Sequence, residues 1–312
     1  MKQTFIGIDI AKAQLDLYET AGHRHIQFEN TKTGIKQCVS CLKTLSPSLI
    51  VLENTGGYEL ELVLALEKTV LPFSVVNPRW VRDFGRATGR LAKTDCIDAA
   101  LLAEYGKRLN PSCHVPQTPQ SRLMKALTKR RHQLLSMKTA ESNRREHSRE
   151  RDIARSIAGV IKMLDRQIAN VERRLRSLIE TQPELQHKMQ IMTSIPGIAE
   201  TTATMLITEV PELGQISRRQ IAALIGVAPI NRDSGTFRGR RMTGGGRYLV
   251  RTRLFMPTLV VCRHNPHLRN FYMRLLKNGK TKMTAIIATM RKLLAIINTM
   301  IAKDQSWNPE TT

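Results

Sequence analysis

Residues 48–55, SLIVLENT, are the stretch that most restricts the fold. The run is apolar without alternation, so both faces of the strand it forms must be covered. That is the signature of an interior parallel strand in a layered α/β sheet. It closes on Glu53. A carboxylate ending such a strand is costly unless a positive charge or cation partners it.

The flanking sequence supplies the rest of the layer. TFIGIDIA (4–11) is β-rich, and AQLDLYE and HIQFEN follow at hairpin spacing, with AGHRH as the turn between them. Residues 32–45 and 58–69 have helical spacing. PFSVVNP is a further strand, stopped by Pro78, and residues 78–87 and 94–109 are helical. The order β-β-β-α-β-α-β-α-α predicts an α/β domain with a mixed sheet over residues 1–118.

From about Gln120 to Lys188 the strand signals vanish. Ile153, Ile157, Val160, Leu164, Ile168, Val171, Leu175 and Leu178 recur at steps of three and four. Two readings fit this arm (119–188): a coiled-coil seam, or a helical hairpin packed on its own domain. Residues 189–312 form a mainly helical domain. SIPGIAETTATMLI and QISRRQIAALIGV each start a helix, APINRDSGTFRGRRMTGGGRY is a loop rich in Gly and Arg, and 249–262, 266–276 and 281–302 are helices. SIPGIAETTA has the form of a helix-hairpin-helix turn with Ala199 where a glycine is usual. It is either a phosphate contact or a packing turn.

Charge narrows the function. The net charge is +23 and the pI about 10.4. Residues 216–312 hold 18 Lys/Arg against 3 Asp/Glu, and between Ile216 and Lys303 the only acid is Asp233. Such a segment predicts a polyanionic partner, nucleic acid first and a membrane surface second. Residues 122–155 add 11 Lys/Arg against 4 acids. Aromatic residues make up only 4%, so stacking does not dominate the contact. No apolar run is expected to span a bilayer and no signal-peptide layout opens the chain, which predicts a cytoplasmic, nucleoid-associated protein. Cys38, Cys41, Cys96, Cys113 and Cys262 do not make a disulfide framework. The lone C-x-x-C is expected to be packed on a helix, not to bind zinc.

In so basic a chain the acids at strand and helix ends stand out: Asp9 in the first strand, Glu53 after the buried run, and Asp95 and Asp98 in KTDCIDA. If the two strands are parallel neighbours, Asp9 and Glu53 emerge at one sheet end, where α/β proteins place ligands. Asp95 and Asp98, three apart, share a helix face. Two hard divalent cations about 4 Å apart, held by such carboxylates, neutralise a reacting phosphodiester. Singly, each acid has a plainer reading. Asp95 faces the helix dipole behind a Thr94 cap, Asp98 pairs with an arginine, Asp9 is a turn residue and Glu53 a salt-bridge partner. Together they form a more specific pattern.

FIGIDIAKAQLDL, VLENTGGY, VVNPRWVRDF, KTDCIDAALLAEY, SIPGIAETTA and DSGTFRGRRMTGGGRYLVRTRLFMP, in this order, resemble one family. It is the DEDD transposases of bacterial insertion sequences, the IS-one-ten group with its IS-eleven-eleven relatives. Their first domain belongs to the RuvC-like branch of the RNase H fold. The resemblance implies that Asp9, Glu53, Asp95 and Asp98 bind Mg²⁺ (or Mn²⁺). It implies that Ser234, in RDSG, is a nucleophile forming a serine–DNA link. It also implies a structured guide (bridge) RNA pairing with donor and target DNA. The arm between the two halves predicts a homo-oligomer, a dimer or tetramer. Arg232, Arg238, Arg240 and Arg241 surround Ser234 in sequence and, with Arg247, are candidate phosphate contacts. The plainer reading makes Ser234 a turn residue, with Thr236 and Thr243 as rival hydroxyls. Two other function classes are a RuvC-like junction nuclease without a covalent intermediate, and a non-enzymatic nucleic-acid binder. The first leaves the basic tail unexplained, and the complete acid set disfavours the second.

Overall fold

The structure is a computed structural model that describes residues 3–90, 94–231, 233–239 and 241–309. The chain divides into two compact units, Met1–Gln117 and Thr118–Thr312. The helices expected as a separate arm belong to the second unit.

The first unit runs β1 (Phe5–Ile10), β2 (Gln14–Glu19), β3 (Arg24–Glu29), α1 (Lys32–Leu45), β4 (Leu49–Glu53), α2 (Leu60–Leu66), β5 (Phe73–Val76), α3 (Pro78–Ala87) and α4 (Asp95–Leu109). This is the order the sequence predicts, with α2 shorter than expected. The five strands form one mixed sheet in the order β3-β2-β1-β4-β5. β2 pairs antiparallel with β1 and β3, whereas β1, β4 and β5 are parallel. The predicted parallel strand is therefore central. Its alternate residues enter two cores: Ile50 and Leu52 face α1 and α2, while Leu49 and Val51 face α4.

Helix α4 lies very close to the sheet. A Cβ on Gly7 would come within 2.0 Å of the Ala99 carbonyl oxygen and 2.5 Å of the Ala103 nitrogen. One on Gly106 would meet a Val51 methyl at 2.7 Å. Gly7 meets Ala99 and Ala103, whereas Gly106, further along the helix, lies over Val51, its Cβ position within 3.8 Å of Leu49 and Phe5 at the strand starts, so α4 runs from the C-terminal sheet end back across β1 and β4. Thr94 caps it, accepting from the Ile97 N–H at 3.3 Å.

The second unit contains α5 (Pro119–His147), α6 (Arg151–Glu180), α7 (Pro183–Thr193), α8 (Glu200–Glu209), α9 (Arg218–Ile225), β6 (Pro229–Ile230), β7 (Asp233–Ser234), β8 (Phe237–Arg238), β9 (Met242–Thr243), α10 (Tyr248–His264), α11 (Pro266–Lys277) and α12 (Lys282–Ala302). α5 and α6 form an antiparallel hairpin, tied by Arg131–Glu172 and Lys138–Asp165. The predicted seam is used intramolecularly in its second half. Leu164 and Ile168 pack on Leu134, and Leu175 joins the main helical core. Ile153, Val160 and Met163, nearer the hairpin tip, remain exposed.

Two expectations are corrected here. The segment expected as a plain loop is two nested strand pairs, β6 with β9 and β7 with β8. And α12, by length and composition, is apolar enough to cross a membrane. Its Leu293, Leu294 and Ile297 are fully buried in the helical core, which accounts for the apolarity.

Gly7→Ala is expected to lift α4 from β1 at a cost of about 1–3 kcal/mol. Thermal unfolding reads this. A variant as stable as wild type would contradict the close approach.

Candidate active site

Alternation along β1 puts Ile8 and Ile10 in the α1/α2 core, so Asp9 faces the α4 side. The same alternation along β4 turns Glu53 to that side. Ile8 pairs with Leu52 in the parallel register, which makes Asp9 and Glu53 lateral neighbours one residue further on. Asp95 lies four residues before Ala99, roughly 6 Å back along the helix. Asp9 lies two residues beyond Gly7, roughly 6.8 Å along the strand. The contact between Gly7 and Ala99 therefore brings the first turn of α4 level with Asp9. Asp98 is one turn before Leu102, which packs on the sheet. Asp9, Glu53 and Asp98 are each half-buried. The Asp95 side chain lies outside the described residues, although its backbone opens α4.

The donors are all carboxylate oxygens at one sheet end, and in kind they suit a hard divalent cation. Among the described residues no three His, Cys, Asp or Glu side chains stand close enough together to hold a metal ion.

Sequence reasoning missed three neighbours of this end. Asp16 stands directly opposite Asp9 on β2 and is 1% exposed. It accepts from Gln27 Nε2 at 2.7 Å and meets His25 Nε2 at 3.1 Å. The pairing register of the β-hairpin was the signal for it. Glu59 orders the loop after Glu53, accepting from the N–H of Thr55 (3.2 Å) and of Gly57 (2.8 Å). α3 starts where β5 ends, beside Glu53, whose register partner is Val76. It buries Val81 and Gly85 and exposes Arg79, Arg86 and Trp80, the last at 61%.

In the second unit Ser234 is exposed and closes a two-residue hairpin opposite Phe237. Gly235, at φ +54°, supplies the first central residue, as Gly-X hairpins require. The base of the loop is clamped. Arg247 donates to both Glu212 carboxylate oxygens (2.7 and 2.5 Å) and to the Glu209 carbonyl (2.9 Å). Arg251 Nη1 donates to the carbonyls of Ile225, Gly226 and Gly245. The charge expected of Arg247 toward phosphate is thus engaged within the protein. Arg241 is exposed. Arg232 and Arg240, and the side chain of Arg238, lie outside the described residues. The SIPGIAETTA turn packs on α10: a Cβ on Gly197 would stand 2.9 Å from the Val261 Cα. Cys38 is buried, its thiol pushed up to about 12 by burial and then by Cys41.

Burial works to raise the Glu212 carboxyl, but the Arg247 hydrogen bonds and the nearby Lys125 outweigh it and hold it below the ordinary range. A depressed folded-state value contributes stability above the unfolded value near 4.5, lost as pH falls through the folded value. Arg247→Met is therefore expected to lower Tm at pH 7, with the gap to wild type closing as pH falls below about 4. A pH-independent gap in thermal melts would contradict the clamp.

Residues 6–147 match the DEDD transposase family of IS110, and residues 189–273 match the Transposase IS116/IS110/IS902 family. The pilin gene-inverting protein of Moraxella bovis is 30% identical over 99% of this chain and 98% of its own. That of Moraxella lacunata is 29% identical over the same shares. An insertion element IS110 protein of Streptomyces coelicolor is 24% identical over 47% of this chain and 36% of its own. Among solved structures, T. thermophilus RuvC in complex with a Holliday junction substrate covers 35% of this chain and 96% of its own, at 12% identity and a TM-score of 0.29. With a full-length relative at this identity and family matches in both units, the chain belongs to the IS110 family of DEDD transposases, enzymes of DNA recombination.

Proposed function

We propose that the protein cuts and rejoins DNA strands at the ends of an insertion sequence, using Ser234 as nucleophile and the four acids as its metal site. The observation that carries this reading is the sheet end where the Gly7 contact gathers Asp9, Glu53 and the first turn of α4. Asp9, Glu53, Asp95 and Asp98 would hold Mg²⁺ or Mn²⁺. When bound, the ions supply charge neutralisation at the scissile phosphate.

The serine reading is supported by exposure of its hydroxyl on a hairpin whose base is fixed by Arg247 and Arg251. Ser234 Oγ attacks phosphorus as a bridging P–O bond breaks. The serine proton passes to water, and the departing strand oxygen takes one from water. A free strand hydroxyl then loses its proton to water and attacks the serine-linked phosphorus, releasing Ser234 Oγ, which takes a proton from water. The exchange conserves phosphodiester bonds, which suits a relative named for inverting a gene. Exposed Arg79, Arg86 and Trp80 on α3 offer phosphate and base contacts beside the acids.

The segment between Ile216 and Lys303, with Asp233 as its only acid, carries enough positive charge for a structured guide RNA as well as DNA. Exposed Ile153, Val160 and Met163 on α6 offer an apolar surface for a homo-oligomer.

Incubating wild type with element-end DNA, guide RNA and Mg²⁺, followed by denaturing gels, is expected to trap a protein–DNA adduct. Ser234→Ala should abolish the adduct and the strand exchange, whereas Thr236→Ala and Thr243→Ala keep both. Strand cleavage that persists in Ser234→Ala would favour a junction nuclease and overturn the serine reading.

A further inference from the structure

A cavity of about 260 Å³ opens between α5, α6, α7, α8 and α10, within the second unit. It belongs to neither the acid site nor the Ser234 hairpin. Leu135, Leu175, Met189 and Met205 form apolar walls. Two polar side chains of the lining residues are under-partnered. Thr128 is 4% exposed, and its Oγ1 has no hydrogen-bond partner among the described residues. The Arg253 guanidinium is largely buried, and its nearest carboxylate, Glu209, stands at 3.6 Å, beyond hydrogen-bond reach. Pro257, in the same wall, lacks an N–H, so the Arg253 carbonyl loses its helical donor.

Charge selects the ligand class. Arg131 is paired with Glu172 at 2.6 Å, Arg176 with Glu200 at 3.0 Å, and Arg253 is offset by Glu209. The lining is therefore near neutral and suits a free anion poorly. It offers donors and acceptors together with apolar side chains, including two thioethers that favour aromatic rings. A heterocyclic base presents both kinds of group on one edge, whereas phosphate presents acceptors alone. His132 also lines the cavity. Burial, and then the charge of Arg253, hold it below its ordinary range, so its ring is neutral near pH 7 and can donate or accept.

We propose that this cavity receives an unpaired nucleobase extruded from bound nucleic acid, guanine in preference, with Arg253 forked onto O6 and N7. The proposal rests on the nucleic-acid role that the family implies, but not on the serine chemistry. Its test is therefore binding alone.

Full-length protein is titrated calorimetrically with GMP, AMP, CMP and UMP at fixed ionic strength, with inorganic phosphate as a competitor. GMP is expected to bind about fivefold or more tightly than CMP or UMP. Arg253→Lys, which keeps the charge, should erase that preference, and Thr128→Val should weaken all four nucleotides; thermal melts verify that both variants fold. A single-stranded oligonucleotide carrying one 6-thioguanine is expected to photocrosslink to peptides containing Met189 or Met205. Equal affinity for all four nucleotides, competition by phosphate alone, or crosslinks confined to other peptides would overturn the proposal. So would GMP preference that survives Arg253→Lys.

Discussion

The first unit depends on one steric fact: a helix backbone resting on a strand backbone. Because Gly7 has no side chain, the Ala99 carbonyl can occupy the space where a Cβ would stand. That contact sets the height of α4 over the sheet, and Gly106 over Val51 sets its direction. With both fixed, the backbone of the first α4 turn stands level with Asp9 and Glu53. Carboxylates gathered at one sheet end repel one another unless positive charge offsets them.

The second unit solves a different problem. It must hold a basic, glycine-rich loop in shape with few acids to neutralise it. Two arginines are spent internally for this: Arg247 on Glu212 and Arg251 on three carbonyls. The loop tip, with Ser234, then projects from a rigid base. Gly226 and Gly246 permit the close packing there, since a Cβ on either would stand within 2.5 Å of a neighbouring backbone atom.

Much of the fold could be read from residue order. The unbroken apolar run 49–52 could only be an interior strand, and Thr94 and Pro78 marked helix starts that the structure keeps. Where the reading fell short, tertiary packing decided. The α6 seam had the spacing of a coiled coil, but only pairing with α5 shows which half is consumed internally. α12 has a composition that length alone cannot distinguish from a membrane span. Among the candidate site residues, the places of Glu53 and Asp95 in the fold were legible because one closes β4 and the other opens α4, and that of Asp9 because it lies in the first strand. Asp16 was not, since only strand register reveals that it faces Asp9. Arg247 looked like a phosphate contact because its partner, Glu212, lies 35 residues away.

Manganese binding measures the central claim most directly. Titrating the full-length protein with Mn²⁺ and following free ion by electron paramagnetic resonance should show saturable sites. These should be lost or much weakened in Asp9→Asn and in Asp98→Asn, while Glu61→Gln on α2 leaves them intact. Equal Mn²⁺ uptake by wild type and both aspartate variants would contradict the account, because the sheet end would then not be where the cation resides.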